Sequence, residues 1–225
     1  MSATAVHSDL MDSVYRRQRY IYDFTRKYYL FGRDRLISGL ALKPGESLVE
    51  IGCGTARNLI RIAKLYPGTT LYGLDASAEM LKSAERAVDR AGLSGRIHLA
   101  QGLAEQMSSS TFGIERPFDR ALFSYALSMI PDWKQSLRSA SASLRPTGTV
   151  HIVDFGDLTG LGTLGRTALT NWLSLFHVSP RSEIVSKIER IARKESAGNA
   201  HFSMLPARYA FIWRGSRASA EYLAY

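Results

Sequence analysis

The stretch Leu48-Val49-Glu50-Ile51-Gly52-Cys53-Gly54-Thr55-Ala56-Arg57 decides the fold of this 225-residue chain. A short apolar run carries one acidic residue and then breaks into a turn of glycines and small residues. This order predicts a strand, a tight loop and a helix. Glycines at Gly52 and Gly54 allow positive φ angles and let the backbone approach a ligand closely, while the helix that follows offers free N–H groups. The stretch therefore predicts a site for a nucleotide-like cofactor.

The residues around the glycines indicate which nucleotide is bound. A dinucleotide-binding fingerprint places a third small residue five positions after the first glycine, and here that position is Arg57. The spacing of Glu50, Gly52, Gly54 and Ala56 instead resembles motif I of the class I S-adenosylmethionine-dependent methyltransferases, where many members have a third glycine at the position of Ala56. In that family the acidic residue supports the loop near the methionine ammonium group.

The next apolar run strengthens the resemblance. It covers residues 70–74 and ends at Asp75, about where a carboxylate accepts two ribose hydroxyls. An ordinary glycine loop and a helix-capping aspartate would explain each feature alone, but not their joint spacing. Many members place an acid after the position of Gly102, and this chain has Leu103 there, so we expect adenine contacts from the backbone and from Glu105. The cofactor-binding residues that the resemblance implies are Tyr28, Arg33, Glu50, Gly52, Cys53, Gly54, Asp75, Ala76, Met80, Leu103, Ala104, Glu105 and Ser124.

The wider pattern favours one α/β domain. Further apolar runs at 97–100, 118–124 and 149–155 alternate with helical stretches such as 78–91, which predicts a single Rossmann-like, doubly wound, mostly parallel sheet with its ligand at the carboxyl ends of the strands. We expect a helical extension over 1–40 and a class I methyltransferase domain over 41–225. Residues 156–180 contain four glycines and predict a mobile apolar insertion near the active site, and 209–213 predicts a closing strand.

The composition limits the cellular compartments and the binding partners that we expect for this chain. Cys53 is the only cysteine, so a disulfide framework and a cysteine-rich metal site are excluded and a reducing cytoplasm fits. Residues 1–10 lack the basic and apolar regions of a signal peptide, and no apolar run reaches the length of a membrane span. The net charge of +9 is compatible with nucleic acid, an acidic substrate or an anionic membrane surface.

The N-terminal segment interleaves aromatic residues with arginines. Residues 15–35 carry a net charge of +5, which suits either a cap over the cofactor pocket or peripheral contact with an anionic inner membrane. Residues 15–37 and 176–181 resemble the bacterial N-methyltransferases that convert diacylglyceryl-homoserine into the betaine lipid diacylglyceryl-trimethylhomoserine. The resemblance implies a lipid substrate. The Asn-Pro-Pro-Tyr type of motif of base methylases is absent, which disfavours nucleic acid as the substrate. The sequence carries no signal for an oligomeric state.

Three residues are candidates for catalysis or for the acceptor side of the site: Tyr20, Tyr125 and His177. Tyrosine faces near a sulfonium or a trimethylated product would gain cation–π stabilisation of about 1–2 kcal/mol, although packing explains such rings equally well. His177 is a candidate base, with a partly buried structural histidine as the alternative. Asp154 either orients the substrate or caps the turn after its strand, and Trp172 suits the wall of a substrate pocket.

Two other functions remain as alternatives to betaine lipid synthesis. The first is methylation of phosphatidylethanolamine or of a quinone ring by the same chemistry. The second is a module without turnover that binds S-adenosylmethionine on nucleic acid or a membrane. Identification of the methylated product distinguishes the first alternative from betaine lipid synthesis. Formation of S-adenosylhomocysteine distinguishes an enzyme from the second.

Overall fold

Seven strands form one sheet in the order β3-β2-β1-β4-β5-β7-β6 in the computed structural model, which describes residues 30–175, 178–194 and 200–225. The strands are β1 (Ser47–Ile51), β2 (Thr70–Asp75), β3 (Ile97–Gln101), β4 (Phe118–Ser124), β5 (Leu144–Phe155), β6 (Ala200–Met204) and β7 (Ala210–Ser216). Strands β1 to β5 are parallel, and β7 runs antiparallel to both β5 and β6. The predicted Rossmann-like, mostly parallel sheet is confirmed.

Helices cover both faces of this sheet. They are α1 (Arg33–Ser38), α2 (Arg57–Leu65), α3 (Ala78–Arg90), α4 (Trp133–Ala142), α5 (Gly162–Ser174), α6 (Ser182–Lys194) and α7 (Arg217–Ala224). Short 3-10 turns lie at Ala104–Gln106, Ser109–Phe112, Thr159–Leu161 and Pro206–Arg208. Every residue of β1 is buried, as expected for a parallel strand with helices on both sides. The core accordingly divides into two clusters of buried side chains.

The chain order creates a crevice between β1 and β4. From β1 the chain winds outward through β2 and β3, and then returns to place β4 on the other side of β1. At such a switch point the loops after two neighbouring strands leave in opposite directions, which opens a ligand site at the carboxyl edge. The glycine loop after β1 lies at this edge.

Two strands differ from the prediction. β6 was not predicted, because its residues are mostly half-buried at the sheet edge and carry no clear alternation. β5 begins at Leu144 rather than at Thr149, and residues 146–148 form an irregularity inside the strand, where the pairing with β4 shifts between Phe118 and Arg120. The closing strand was placed correctly and extends to Ser216 as β7.

The predicted apolar insertion contains a regular helix. α5 spans 13 residues although glycines occupy positions 162 and 165. A glycine inside a helix costs about 1 kcal/mol relative to alanine, so the glycines favoured a loop in the sequence pattern. Among the residues of α5 only Leu173 is fully buried, which leaves most of this helix exposed.

The start of the described chain belongs to the domain core. Leu36 and Ile37 of α1, with Leu40 after it, are buried among the helices on one face of the sheet. Residues 1–29, which make up most of the predicted N-terminal extension, lie outside the described residues. Within the described ranges no helix combines the length and the apolar character needed to cross a membrane.

Candidate active site

The loop between β1 and α2 adopts the backbone conformation that its glycines allow. Gly52 has φ 74° and Gly54 has φ 54°. A Cβ atom at Gly52 would lie 3.0 Å from the Cβ of Ala126 in the loop after β4, so a side chain there would push the two loops apart. Ala56 caps α2 with φ 59°, in the left-handed region that a glycine adopts at less cost than an alanine. The loop therefore leaves an open cradle at the switch point.

Asp75 ties this loop to the end of β2. Its Oδ2 accepts a hydrogen bond from the Gly54 N–H at 2.7 Å, and its Oδ1 accepts one from the Ser77 N–H at 3.0 Å. Hydrogen bonds from N–H groups to a carboxylate are charge-assisted and stronger than neutral ones. The residue predicted to receive the ribose thus also fixes the glycine loop.

Glu50 supports the loop from the strand below it. Its side chain is buried, and its Oε1 accepts a hydrogen bond from Asn58 Nδ2 at 2.6 Å. Burial raises the pKa of the neighbouring Cys53 thiol well above its usual value, and the carboxylates of Asp75 and Glu50 raise that pKa further. Cys53 is therefore a neutral, packed thiol at neutral pH rather than a nucleophile.

Two cavities meet at Gly52. The first, which we call the Gly102 cleft, lies between the ends of β2, β3 and β4. It is lined by Ile51, Gly52, Gly54, Leu74, Asp75, Ala76, Met80, Gly102, Leu103, Ala104, Glu105, Tyr125, Ala126, Met129, Ile130 and Pro131. The second, the Arg33 cavity, has a volume of about 430 Å³. It is lined by Leu30, Arg33, Glu50, Gly52, Cys53, Thr55, Arg57, Asn58, Ile60, Ser83, Ala87, Arg90 and Ser124.

Every predicted cofactor-binding residue inside the described ranges lines one of these cavities. The predicted residues after β2 and β3, from Asp75 to Glu105, line the Gly102 cleft. The Arg33 cavity is lined by Arg33, Glu50, Cys53 and Ser124. Tyr28 lies outside the described residues, as do the catalytic candidates Tyr20 and His177. Tyr125 is the catalytic candidate that the structure describes, and it lines the Gly102 cleft.

Tyr125 is held in an uncommon conformation. Its φ of 56° is in the left-handed region, which costs a side-chain-bearing residue about 1–2 kcal/mol. Its N–H donates to the Val153 carbonyl at 2.7 Å, and its hydroxyl donates to the Phe31 carbonyl at 2.6 Å. The hydroxyl therefore fastens the start of the described chain to the floor of the site.

Four aromatic rings form a row beside the cavities. The ring centroids are 4.8 Å apart for Tyr125 and Phe155, 5.8 Å for Phe155 and Tyr209, and 5.4 Å for Tyr209 and Phe31, each in an edge-to-face arrangement. Such pairs stabilise one another beyond their buried area. We call Phe31, Tyr209, Phe155 and Tyr125 the aromatic row. It joins the N-terminal segment, the β6–β7 turn, β5 and β4 at the carboxyl edge of the sheet.

Asp154 fixes the loop that follows β4. Its Oδ2 accepts a hydrogen bond from the Ser128 N–H at 3.0 Å, and its Oδ1 accepts one from the Phe155 N–H at 2.7 Å. Burial raises the pKa of Asp154 from 3.8 to about 6, although hydrogen bonds from Ser128 and Phe155 oppose the shift. These contacts place Asp154 beneath the site as a support for the segment 125–131.

Several residues of the site were not predicted. Asn58 lies eight positions after Glu50 and returns to it only because α2 runs back over the loop. Ala126, Met129 and Ile130 form, beside the predicted Tyr125, the wall of the Gly102 cleft that follows β4. Tyr209 enters through the β6–β7 turn, and β6 was not predicted.

Comparison with known proteins agrees with this geometry. Residues 49–150 match a family described as a methyltransferase domain. The chain is 29% identical over 145 residues to a demethylmenaquinone methyltransferase of Geobacillus kaustophilus, covering 64% of this chain and 56% of the relative. It is 28% identical over 123 residues to a protein of the same name from Lactobacillus johnsonii, covering 54% of this chain and 49% of the relative. The chain thus spans about half the length of the curated relatives it matches.

A solved structure with the same fold binds the cofactor that the motif implies. Phosphoethanolamine N-methyltransferase 2 of Haemonchus contortus, in complex with S-adenosyl-L-methionine, superimposes with a TM-score of 0.65. The identity is 20%, and the match covers 87% of this chain and 46% of that one. At this identity the likeness establishes the fold, a Rossmann-like methyltransferase fold.

Proposed function

We propose that this chain is an S-adenosylmethionine-dependent methyltransferase. The observation that carries the proposal is the glycine loop at the β1–β4 switch point, with Glu50 below it and Asp75 bonded to its Gly54 N–H. The match of residues 49–150 to a methyltransferase domain supports it independently. The open cradle at Gly52, which a side chain would fill, fits a cofactor that passes directly over the backbone.

The residues present suit the three parts of this cofactor. Asp75 at the end of β2 is an acceptor for ribose hydroxyls, and Leu103 and Ala104 offer backbone groups and an apolar surface to the adenine. Arg33 and Glu50, in the Arg33 cavity, supply opposite charges for the carboxylate and ammonium of the methionine part. The bound cofactor supplies an electrophilic methyl group on a sulfonium, which becomes a thioether when the methyl passes to a nucleophile that loses a proton.

The protein itself has little acid–base work to do in such a transfer. It must hold the acceptor in line with the methyl group and keep water away. The loop after β4 is held by Asp154 and Tyr125, and Tyr125, at one end of the aromatic row, lines the Gly102 cleft. These residues form a wall against which an acceptor can be oriented.

For the acceptor we propose a membrane lipid, in one of two chemical classes. Stepwise N-methylation of the homoserine amine of diacylglyceryl-homoserine is supported by the resemblance of residues 15–37 and 176–181 to betaine lipid enzymes. Methylation of a quinone ring is supported by relatives that are named as demethylmenaquinone methyltransferases, which favour this second class. Tyr125 in the Gly102 cleft suits both, because an aromatic ring can pack against a quinone or against a quaternary ammonium.

A lipid acceptor also implies work at a membrane surface. We propose a peripheral protein on the anionic inner face of the membrane, attracted by the net charge of +9 and by the basic residues of 15–35. Each basic group near such a surface contributes about 1 kcal/mol at physiological salt.

Product analysis tests the function and separates the acceptors. The purified protein is incubated with methyl-labelled S-adenosylmethionine and, separately, with diacylglyceryl-homoserine, demethylmenaquinone or phosphatidylethanolamine. Mass gains of one, two and three methyl groups identify the amine lipid, and a gain of one methyl group identifies the quinone. Binding of S-adenosylhomocysteine without turnover of any acceptor would indicate a binding module and contradict the proposed activity.

A further inference from the structure

The Arg33 cavity extends beyond the part that the cofactor needs. Glu50, Gly52 and Ser124 form its floor at the ends of β1 and β4, where we place the methionine part of the cofactor. α2 and α3 form much of the remaining wall, and each contributes one arginine, Arg57 and Arg90. The cavity of about 430 Å³ therefore continues from the cofactor site into a basic region.

The guanidinium groups of this basic region have unused donors. Arg57 forms no hydrogen bond or ion pair with the residues that the structure describes. Arg90 donates from Nε to the Arg86 carbonyl at 3.1 Å, and its two terminal nitrogens have no partner in the same ranges. Both residues are exposed, so contact with water would explain either of them alone. Two arginines that face one cavity, however, concentrate a positive potential inside it.

The acidic side chains around the cavity are already engaged. Glu50 accepts a hydrogen bond from Asn58 Nδ2 at 2.6 Å. Asp34, on α1, pairs with Arg61 Nη1 at 3.0 Å. Among the described residues that line the cavity, three are arginines and one is acidic, so the cavity favours an anionic group.

The position of Arg57 also favours an anion beside it. Arg57 is the first residue of α2, and the first turn of this nine-residue helix has no acidic residue. The helix dipole disfavours a cation at that end, and a bound anion offsets the repulsion.

Ser124 independently indicates a polar ligand in the same cavity. Its side chain is 4% exposed, and its hydroxyl has no hydrogen-bond partner within the described part of the chain. Leu122 pairs with Glu50, and side chains alternate along a strand, so Ser124 and Glu50 face the same side of the sheet. A buried hydroxyl is costly to leave unpaired, which favours a ligand that bonds to it.

The reacting methyl group lies beside this region. We place the adenosine in the Gly102 cleft and the methionine in the Arg33 cavity, and Gly52 lines both. The sulfonium joins these two parts of the cofactor and so lies near Gly52. Arg57 directly follows the glycine loop, which brings its charge close to an acceptor that reaches the methyl group.

We infer that Arg57 and Arg90 bind an anionic group of the acceptor, a carboxylate or a phosphate, while its nucleophilic atom meets the methyl group. The inference rests on the proposed methyl transfer and names the acceptor class within it. Diacylglyceryl-homoserine has a carboxylate on the carbon that bears its amine, and phosphatidylethanolamine has a phosphate. The ring of demethylmenaquinone has neither, so the site favours an acidic amine over a quinone.

Equilibrium binding tests the two arginines without depending on turnover. A short-chain, water-soluble diacylglyceryl-homoserine and its uncharged carboxamide are titrated at low ionic strength into the protein saturated with S-adenosylhomocysteine. We expect the wild type to bind the carboxylate form at least about tenfold more tightly, because charge-assisted hydrogen bonds are lost in the amide. Arg57→Gln and Arg90→Gln should each reduce this preference, and the double variant should reduce it to less than about twofold.

A matched control and a second ligand make the test specific. Lys64 is an exposed cation on α2 that does not line the cavity, so Lys64→Gln removes the same charge from the same helix and should retain the preference. Short-chain phosphatidylethanolamine replaces the carboxylate by a phosphate. Tighter binding of this lipid, with the same dependence on both arginines, would identify phosphate as the anionic group.

The cofactor's own carboxylate is tested separately. 5′-Methylthioadenosine has the adenosine and the thioether of S-adenosylhomocysteine but lacks the amino acid part. Arg57→Gln should leave the affinities for both compounds unchanged within about twofold. A loss for S-adenosylhomocysteine alone would assign Arg57 to the cofactor and overturn the inference.

Two further results would overturn it: no preference of the wild type for either acidic lipid over the carboxamide, or an equal loss of preference in Lys64→Gln. Turnover separates the inference from the proposed function. If the wild type binds an acidic lipid through both arginines but methylates no acceptor, the proposed activity is wrong and the anion site stands. Methylation of demethylmenaquinone in place of both acidic lipids would contradict the anion site and leave the methyltransferase activity standing.

Discussion

At the scale of single residues, Asp75 has two roles. It holds the glycine loop, and it faces the cleft where we place the ribose. In Asp75→Asn one carboxylate oxygen becomes an amide NH₂, which opposes either the Gly54 or the Ser77 N–H instead of accepting from it. We expect a loss of about 1.5–3 kcal/mol in the binding of S-adenosylhomocysteine, or roughly 10- to 150-fold in affinity by calorimetry. Glu85→Gln, an exposed change on α3, is the control. Equal affinities in the two variants would contradict the role of Asp75.

Asp154 gives the stability of the protein a defined pH dependence. Its pKa is about 6 in the folded protein and 3.8 in the unfolded chain, so the folded state binds more protons between these values. The contribution of Asp154 to stability therefore falls as the pH rises from about 4 to 6. The asparagine in Asp154→Asn does not titrate. The free energy of unfolding of this variant, minus that of the wild type, should therefore increase by up to roughly 3 kcal/mol between pH 4 and pH 7.

Urea unfolding of both proteins across this pH range measures that difference. His151, whose pKa burial lowers to about 3, contributes the opposite slope in both proteins, so its effect cancels in the difference. A constant difference across the range would show that Asp154 is not protonated in the folded state.

The sequence predicted the glycine loop after β1 as an element, whereas in the wall that follows β4 it singled out Tyr125 alone. Glu50, Gly52, Gly54 and Asp75 follow fixed positions at strand ends, so spacing alone identifies them. Phe31 and Tyr125 meet through a hydrogen bond between residues that are 94 positions apart, and no local pattern reports such a contact. Tyr125 itself was predicted as a candidate, but its contact with Phe31, which depends on tertiary packing, was not.

At the scale of elements, the end of β5 is clamped against the β6–β7 turn. A Cβ atom on Gly156 would lie 2.1 Å from the carbonyl oxygen of Arg208, which is backbone and cannot move aside cheaply. The Arg208 guanidinium bonds both carboxylate oxygens of Asp157 and lowers the pKa of that carboxyl to about 2. Ala207 and Arg208 both adopt positive φ in this turn. The clamp sets the position of Tyr209 in the aromatic row.

Gly156→Ala should accordingly destabilise the protein by about 1–3 kcal/mol, the usual cost of overpacking. The midpoint of urea unfolding measures this cost. Gly95→Ala is the matched control, because a Cβ atom at Gly95 meets nothing within 4 Å. If the two variants unfolded at the same midpoint, the close approach of β5 and the turn would not exist in solution.

The parallel strands were predictable as elements because buried parallel strands are continuous apolar runs. β6 and α5 were not, since the first is a half-buried edge strand and the second carries glycines and an exposed apolar surface. Both depend on what lies beside them in three dimensions. The local sequence favours a loop in each case.

At the scale of the whole molecule, cofactor binding should be coupled to stability. The cradle is built from the ends of β1, β2 and β4, so it exists only in the folded sheet and the unfolded chain offers no equivalent site. A ligand at 100 times its dissociation constant then stabilises the folded state by about 2.7 kcal/mol. For a chain of this length that corresponds to a rise in Tm of roughly 5–10 °C with S-adenosylhomocysteine. Differential scanning calorimetry measures the shift, with Gly95→Ala expected to show it in full and Asp75→Asn to show about half of it or less at the same ligand concentration. An unchanged Tm in the wild type at saturating ligand would contradict both the site and the proposed cofactor.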